Sequence, residues 1–166
     1  MIVTIWRHGT AEEGVNDRLR KLTSAGHEDV GVGCRQFQHA CKQGNIAPLT
    51  TILHSPWVRT TQTADIIANA FRAARITPET ALRPGSPLSA VDGVLSALSA
   101  NTAVAHAVLV SHQPLVSQLV DHWLGDAGRV PSLPPGGLVT LSFDVAVPAC
   151  ATLLFWSFPP AYEASV

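Results

Sequence analysis

The chain has 166 residues, 46% of them apolar and 14% charged, with a formal net charge of −1. A chain of that length buries roughly 68–70% of its unfolded surface, which predicts one domain, residues 1–166, around a core of its own. The apolar content excludes intrinsic disorder, and the near-neutral charge excludes a broad attraction to nucleic acid or anionic lipid while leaving room for a local basic pocket.

The first element is a short β-branched apolar run, residues 2–6 (IVTIW), read as a buried strand that ends in a loop at Arg7-His8-Gly9. This N-terminus lacks a basic n-region and a cleavage site, so no signal peptide is expected. No apolar run has the length of a membrane span, and a cytoplasmic location is predicted. Residues 10–22 are polar and read as a surface loop. Thr23 or Ser24 then caps a helix in which Val30, Cys34, Phe37 and Cys41 recur at helical spacing and Gly44 is the stop. Neither Cys34 and Cys41 nor the distant Cys150 has a metal-site or redox spacing, so all three cysteines are expected to pack as small apolar residues.

Residues 51–53 form a second strand. Ser55-Pro56 is a helix start signal, with serine as the cap and proline at the first helical position, and the helix is predicted to run to about Phe71 with Ala64, Ile67 and Phe71 inward. Residues 76–83 read as extended, and Arg83-Pro84-Gly85-Ser86-Pro87 as a loop. Leu88, Val91, Leu95 and Leu98 mark another helix. Residues 107–111 (AVLVS) are a fully apolar strand reaching His112, and Pro114 opens a helix that ends at Gly125. A second Pro/Gly loop, 131–137, precedes strands at 138–145 and 151–157, the latter continued by an apolar Pro-rich exit. Strands alternating with helices predict an α/β fold, a three-layer α/β/α sandwich around a mostly parallel sheet.

This order places Arg7 and His8 at the carboxyl end of one strand, His112 at the carboxyl end of another, and Arg59 in the first turn of the Ser55-Pro56 helix. Ligands of open α/β sheets bind outside the carboxyl ends of the strands, so these four residues are expected to share a crevice. They suit a phosphoryl group. Arginine forks match phosphate oxygens, a helix start favours an anion, and Gly9 permits close backbone approach. Neutral histidine is a nucleophile, and covalent catalysis divides one hard displacement into two easier ones. Thr10 is a further candidate phosphate contact, balanced against a plain turn residue.

Arg7-His8-Gly9 after the first strand resembles the RHG signature of the histidine phosphatase superfamily, the phosphoglycerate mutase-like proteins. The segment from Ser55 to Ala64 resembles that superfamily's SPxxRxxQTA helix start, and Ser111-His112-Gln113-Pro114 its second histidine segment. The resemblance covers nearly the whole chain. It implies that His8 is the phosphorylated nucleophile and that Arg7, Arg59 and His112 line the phosphate pocket; no cofactor is expected, and since no remaining histidine pairs with cysteine or carboxylate at a metal-like spacing, no metal site is expected. The short length, and Arg20-Lys21-Leu22-Thr23 followed by Gly26, are most similar to the SixA-type phosphohistidine phosphatases.

Expelling an alkoxide requires a positioned proton donor. The larger family members take an acid from the region after the middle strand, but here Leu82 to Val91 contains no carboxylate. Glu79 precedes the loop and Asp92 lies inside the next helix. Glu12, Glu13 and Asp17 are the remaining candidates, from the first loop. Without an acid, the favoured substrates are those with a better leaving group, such as phosphohistidine or an aryl phosphate. The expected partner is therefore a phosphorylated protein such as a histidine phosphotransfer domain. A small phosphorylated metabolite is the alternative substrate, and a non-catalytic phosphate-binding module the alternative function. Ser55 is read as a helix cap, Asp17 and Arg20 as surface-loop residues, and His27, His39, His106 and His122 as ordinary. His54 is likewise read as an ordinary surface or core residue, the one of these histidines nearest the pocket rim, and Trp57 either at the crevice mouth or packed on the first loop.

Overall fold

A computed structural model describes all of residues 1–166. Six strands form one sheet: β1 (Ile2–Arg7), β2 (Thr51–His54), β3 (Arg75–Pro78), β4 (His106–Ser111), β5 (Leu138–Phe143) and β6 (Ala151–Ser157). Their order across the sheet is β3-β2-β4-β1-β5-β6. Neighbours from β3 to β1 pair in parallel, while β5 runs antiparallel to both β1 and β6. Four helices complete the α/β/α sandwich: α1 (Ser24–Gln43), α2 (Val58–Ala70), α3 (Leu88–Ala100) and α4 (Leu115–Leu124).

The alternation of side chains along each strand builds the layers. Val3 and Ile5 of β1, with Ala107 and Leu109 of β4, join Val91 and Leu95 of α3 and Leu119 and Trp123 of α4 in one core. Trp6, Val108 and Val110 face the other way and meet Val30, Cys34 and Phe37 of α1 and Ala64 and Ile67 of α2. Central strands covered on both faces carry apolar residues throughout, as the AVLVS run does.

Thr23 caps α1, its hydroxyl accepting from the Gly26 amide at 2.9 Å, and Gly44 ends the helix. Gly125 closes α4 in the left-handed conformation at φ 68°. Other boundaries differ from the sequence reading. The extended segment 76–83 is only the four-residue β3, followed by a 3-10 turn at Thr80–Leu82 whose leading amide is taken by the Glu79 side chain. The strand expected to reach 145 stops at Phe143. Cys34 is buried and Cys41 half-buried, both thiols pushed up to about 12 by burial, but Cys150 is exposed in the β5–β6 turn and packs into no core. No helix is long and apolar enough to cross a membrane.

Candidate active site

Strand register assembles the site. Arg7 of β1 lies opposite Ser111 of β4, so His8 and His112 leave adjacent parallel strands side by side. His54 of β2 lies opposite Val110, and the Ser55 amide extends that ladder by donating to the Val110 carbonyl at 3.0 Å. His8, His112 and Ser55 therefore follow the ends of three neighbouring strands. The His8 and His112 rings lie 5.2 Å apart, edge to face, and both residues are buried.

The hydrogen bonds of His8 assign its tautomer. Nδ1 lies 2.8 Å from the Gly9 carbonyl, which can only accept, so Nδ1 carries the proton. Nε2 is left with its lone pair and accepts from Arg59 Nε–H at 3.0 Å. Burial pushes the His8 pKa down to about 4, with Arg59, Arg7 and Arg20 adding to the shift against the Gly9 bond. The ring is thus neutral at pH 7, with an unprotonated Nε2 facing a guanidinium.

Arg59, the second residue of α2, is buried while its head spans the site. Nη1 donates to the Asp17 backbone carbonyl and Nη2 to the Asp17 carboxylate at 3.3 Å. Its Cζ lies 4.9 Å from the centre of the Trp57 ring, which also stands edge-on to His112 at 5.1 Å. Trp57 therefore lines the crevice mouth. Arg7 is half-buried and donates from Nη1 to the Leu133 carbonyl at 2.8 Å, while its Nε has no partner. Burial, and then Arg59, lower the Arg7 pKa. Arg7 and Arg59 are neighbouring guanidiniums, and the one carboxylate paired at the site, Asp17, is divided between Arg59 and Arg20, which leaves local positive charge that an anion would neutralise.

His112 Nε2 lies 2.8 Å from Ser55 Oγ, and its buried Nδ1 has no partner. Burial and the neighbouring His8 push its pKa down to about 3. Nε2 and the Ser55 hydroxyl share one hydrogen bond, and Nδ1 is left available to a ligand. Buried polar atoms rarely go unpaired, and two of the four here belong to Arg7 and His112; the others are Trp6 Nε1 and Gln113 Oε1.

Several readings are corrected. Ser55 is not the cap of α2: the helix begins at Val58, with Trp57 at the cap position and no side-chain cap bond. The chain stays extended through Ser55, whose hydroxyl serves His112 and whose carbonyl accepts from Thr60 Oγ1 at 2.7 Å. Gly9 also packs against α1, a requirement for glycine beyond ligand approach. A Cβ there would lie 2.8 Å from Val30 Cγ2 and 2.9 Å from the Gly26 carbonyl oxygen. His54 is an ordinary core histidine, buried with its Nδ1–H on the Ser55 carbonyl and set back from the rim. Asp17 belongs to an exposed loop, as expected, yet reaches Arg59. Thr10 is exposed, and the engaged group is its carbonyl, which accepts from the Thr23 amide at 2.9 Å.

Sequence reasoning passed over Thr63, whose hydroxyl accepts from the Gly9 amide at 3.2 Å and donates to the Arg59 carbonyl at 2.8 Å, tying the first loop to α2. Gln62 likewise holds the Leu22 amide at 2.8 Å. Both lie inside the segment matched to SPxxRxxQTA, which was the available signal. The 131–137 loop is fastened to the site: Leu133 is buried and holds Arg7, and the Gly136 amide donates to the His8 carbonyl at 2.9 Å.

The carboxylates are disposed unfavourably for proton donation. Asp17 is held below the usual carboxylate range, first by its hydrogen bond from Arg20 and also by Arg59, and is ionised at neutral pH. Glu79 serves the Ala81 amide, and Asp92 accepts from His122 and Trp123. Glu12 and Glu13 are exposed on the first loop, where they share a surface cleft with Leu19 and Arg20 and make no hydrogen bond to the site from their carboxylates.

Comparison with solved structures agrees with this architecture. The protein histidine phosphatase SixA in complex with tungstate superimposes with a TM-score of 0.81 at 25% identity, covering 96% of this chain and 97% of that one. The chain has the histidine phosphatase fold. A SixA phosphohistidine phosphatase from Agrobacterium tumefaciens gives 0.75 at 22% identity, over 96% of this chain and 98% of the other. A mycobacterial glucosyl-3-phosphoglycerate phosphatase with VO3 gives 0.70 at 16%, over 95% and 99%. No family model and no curated protein matches the sequence. Within the histidine phosphatase fold, the paired histidines and arginines described above occupy the carboxyl ends of β1 and β4 and the start of α2.

Proposed function

We propose that the protein is a phosphatase that works through a phosphoryl group carried on His8 Nε2, and that its substrate is phosphohistidine on a protein. The observation that carries the proposal is the His8 tautomer: Nδ1–H is tied to the Gly9 carbonyl and the Nε2 lone pair lies among guanidiniums. On arrival of a phosphoryl group, the Arg59 donors pass from Nε2 and Asp17 to phosphoryl oxygens, and Arg7 Nε and His112 Nδ1 supply the remaining hydrogen bonds. Nε2 attacks phosphorus, forming the N–P bond as the bond to the leaving group breaks. Water then attacks the phosphorus, the Nε2–P bond breaks, and inorganic phosphate leaves with His8 neutral again.

The carboxylates favour the substrate class. The only one touching the site, Asp17, is ionised and hydrogen-bonded to two arginines, so it is a poor acid for an alkoxide leaving group. The imidazole of a phosphohistidine leaves without such an acid and takes its proton from solvent. The likeness to SixA structures supports the same class.

The test is phosphate release from a phosphohistidine-bearing histidine phosphotransfer domain and from a panel of alkyl phosphates, with His8→Ala beside the wild type. Release from phosphohistidine and slow or no release from the alkyl phosphates, both abolished in His8→Ala, is the expected pattern. Fast alkyl phosphate hydrolysis would instead make the protein a small-molecule phosphatase and would require a proton donor.

A further inference from the structure

We propose that the rim beside His8 is a docking surface for a protein face that is acidic and partly apolar around its phosphohistidine; this rests on the protein-phosphohistidine reading above. A cleft of about 340 Å³ opens next to the site, lined by Arg18, Trp57, Arg83, Pro84, Gly85 and Ser86. It adjoins the crevice because its Trp57 wall is the ring that meets His112 and Arg59.

Arg18 and Arg83 are both exposed and have no acidic partner. The ion pairs of the molecule are Asp17 with Arg20, Asp17 with Arg59, and Asp92 with His122. Arg83 Nε is anchored on the Thr80 carbonyl at 3.1 Å, which steadies the stem and leaves the terminal fork free. No carboxylate lines the cleft. In a chain of net charge −1, this is a local concentration of free guanidinium and not a reflection of overall composition.

The second observation is apolar. Val15 is fully exposed and Leu19 is 62% exposed, on the loop that carries Arg18 and whose Asp17 touches Arg59. A metabolite would be recognised by an enclosed pocket with converging polar groups. Free cations on the two walls of an open cleft, with outward-facing apolar side chains on the loop that carries one of them, fit a protein surface: acidic side chains on Arg18 and Arg83, apolar ones on Val15 and Leu19.

The experiment compares two probes carrying the same P–N bond: a phosphorylated histidine phosphotransfer domain with acidic residues near its phosphohistidine, and free phosphohistidine. The variants are Arg18→Glu with Arg83→Glu, and Val15→Ser with Leu19→Ser. The expected result is a KM for the domain raised about tenfold or more by the charge reversal, with kcat nearly unchanged and free phosphohistidine turned over as by wild type. The wild-type KM for the domain should also rise with salt, and that dependence should flatten in the charge-reversed variant. Wild-type kinetics on both probes in both variants would overturn the docking surface while leaving the phosphohistidine reading intact. Equal losses on both probes would also overturn it, by moving these residues into the phosphate site. Turnover of free phosphohistidine but not of the domain by wild type would overturn the protein-substrate reading, and the docking surface with it.

Discussion

Ser55→Ala separates the structural role of Ser55 from the role its position before a proline suggests. The Ser55 hydroxyl is fully buried and lies 2.8 Å from His112 Nε2, whose other ring nitrogen already lacks a partner. Removing it leaves the buried imidazole with no hydrogen bond, which costs about 1–3 kcal/mol of stability. The loss of a helix cap would cost about 1 kcal/mol, so stability alone does not discriminate. The catalytic readout does. An imidazole released from Ser55 loses its orientation toward the phosphoryl group, and kcat on an aryl phosphate should fall about 10- to 100-fold. A cap would leave kcat untouched. A double-mutant cycle with His112→Asn, read by urea unfolding and by kcat, should give a coupling of about 1 kcal/mol or more. Additive effects, or Ser55→Ala with wild-type kcat, would refute the argument that Ser55 acts through His112.

Other outcomes follow from the same geometry. Gly26→Ala should destabilise the protein by about 3 kcal/mol or more, because its Cβ would lie 2.2 Å from the Thr10 carbonyl oxygen, a backbone atom that cannot step aside; a variant within 1 kcal/mol of wild type in urea would contradict the close approach of the first loop to α1. Stability should fall on acidification between about pH 6.5 and pH 4. His8 and His106 are held down to about 4 and His112 to about 3, so the unfolded chain binds protons there that the folded one refuses, and each histidine contributes a loss on the order of 3 kcal/mol by pH 4. Stability measured as flat across that window would show that these rings are not held neutral. Asp17→Asn removes the carboxylate that occupies Arg59, so vanadate should inhibit about two- to fivefold more tightly; weaker inhibition would make Asp17 a support for Arg59 instead of a competitor.

Much of the site was legible because its residues sit at points where local rules are strong. A β-branched run ending in Arg-His-Gly and an apolar run ending in Ser-His both mark strand ends, and ligands of open α/β sheets bind at such ends; the structure then supplies the parallel β1–β4 register that sets His8 beside His112. What was not legible depends on tertiary approach. Ser55-Pro56 carries the local signal of a helix start, but the β2–β4 ladder continues one residue further and hands the hydroxyl to His112, a residue 57 positions away. Gly9 was read as permitting ligand approach; that it must also clear Gly26 and Val30 of α1 is a tertiary contact with no local signal. Asp17 lies in a loop with no periodicity, and nothing local signals that it folds back onto Arg59. Cys150 looked like the other cysteines in composition, but it falls in a turn and stays exposed.

Acceptance of the phosphoryl group by His8 Nε2 leaves a covalent trace. The most direct test is to quench turnover of a ³²P-labelled phosphohistidine domain and map the label. The account predicts an acid-labile, base-stable adduct on His8 that forms and decays at rates competent for turnover and is absent in His8→Ala. Turnover by wild type with label on another residue, or with no covalent adduct at all, would contradict it.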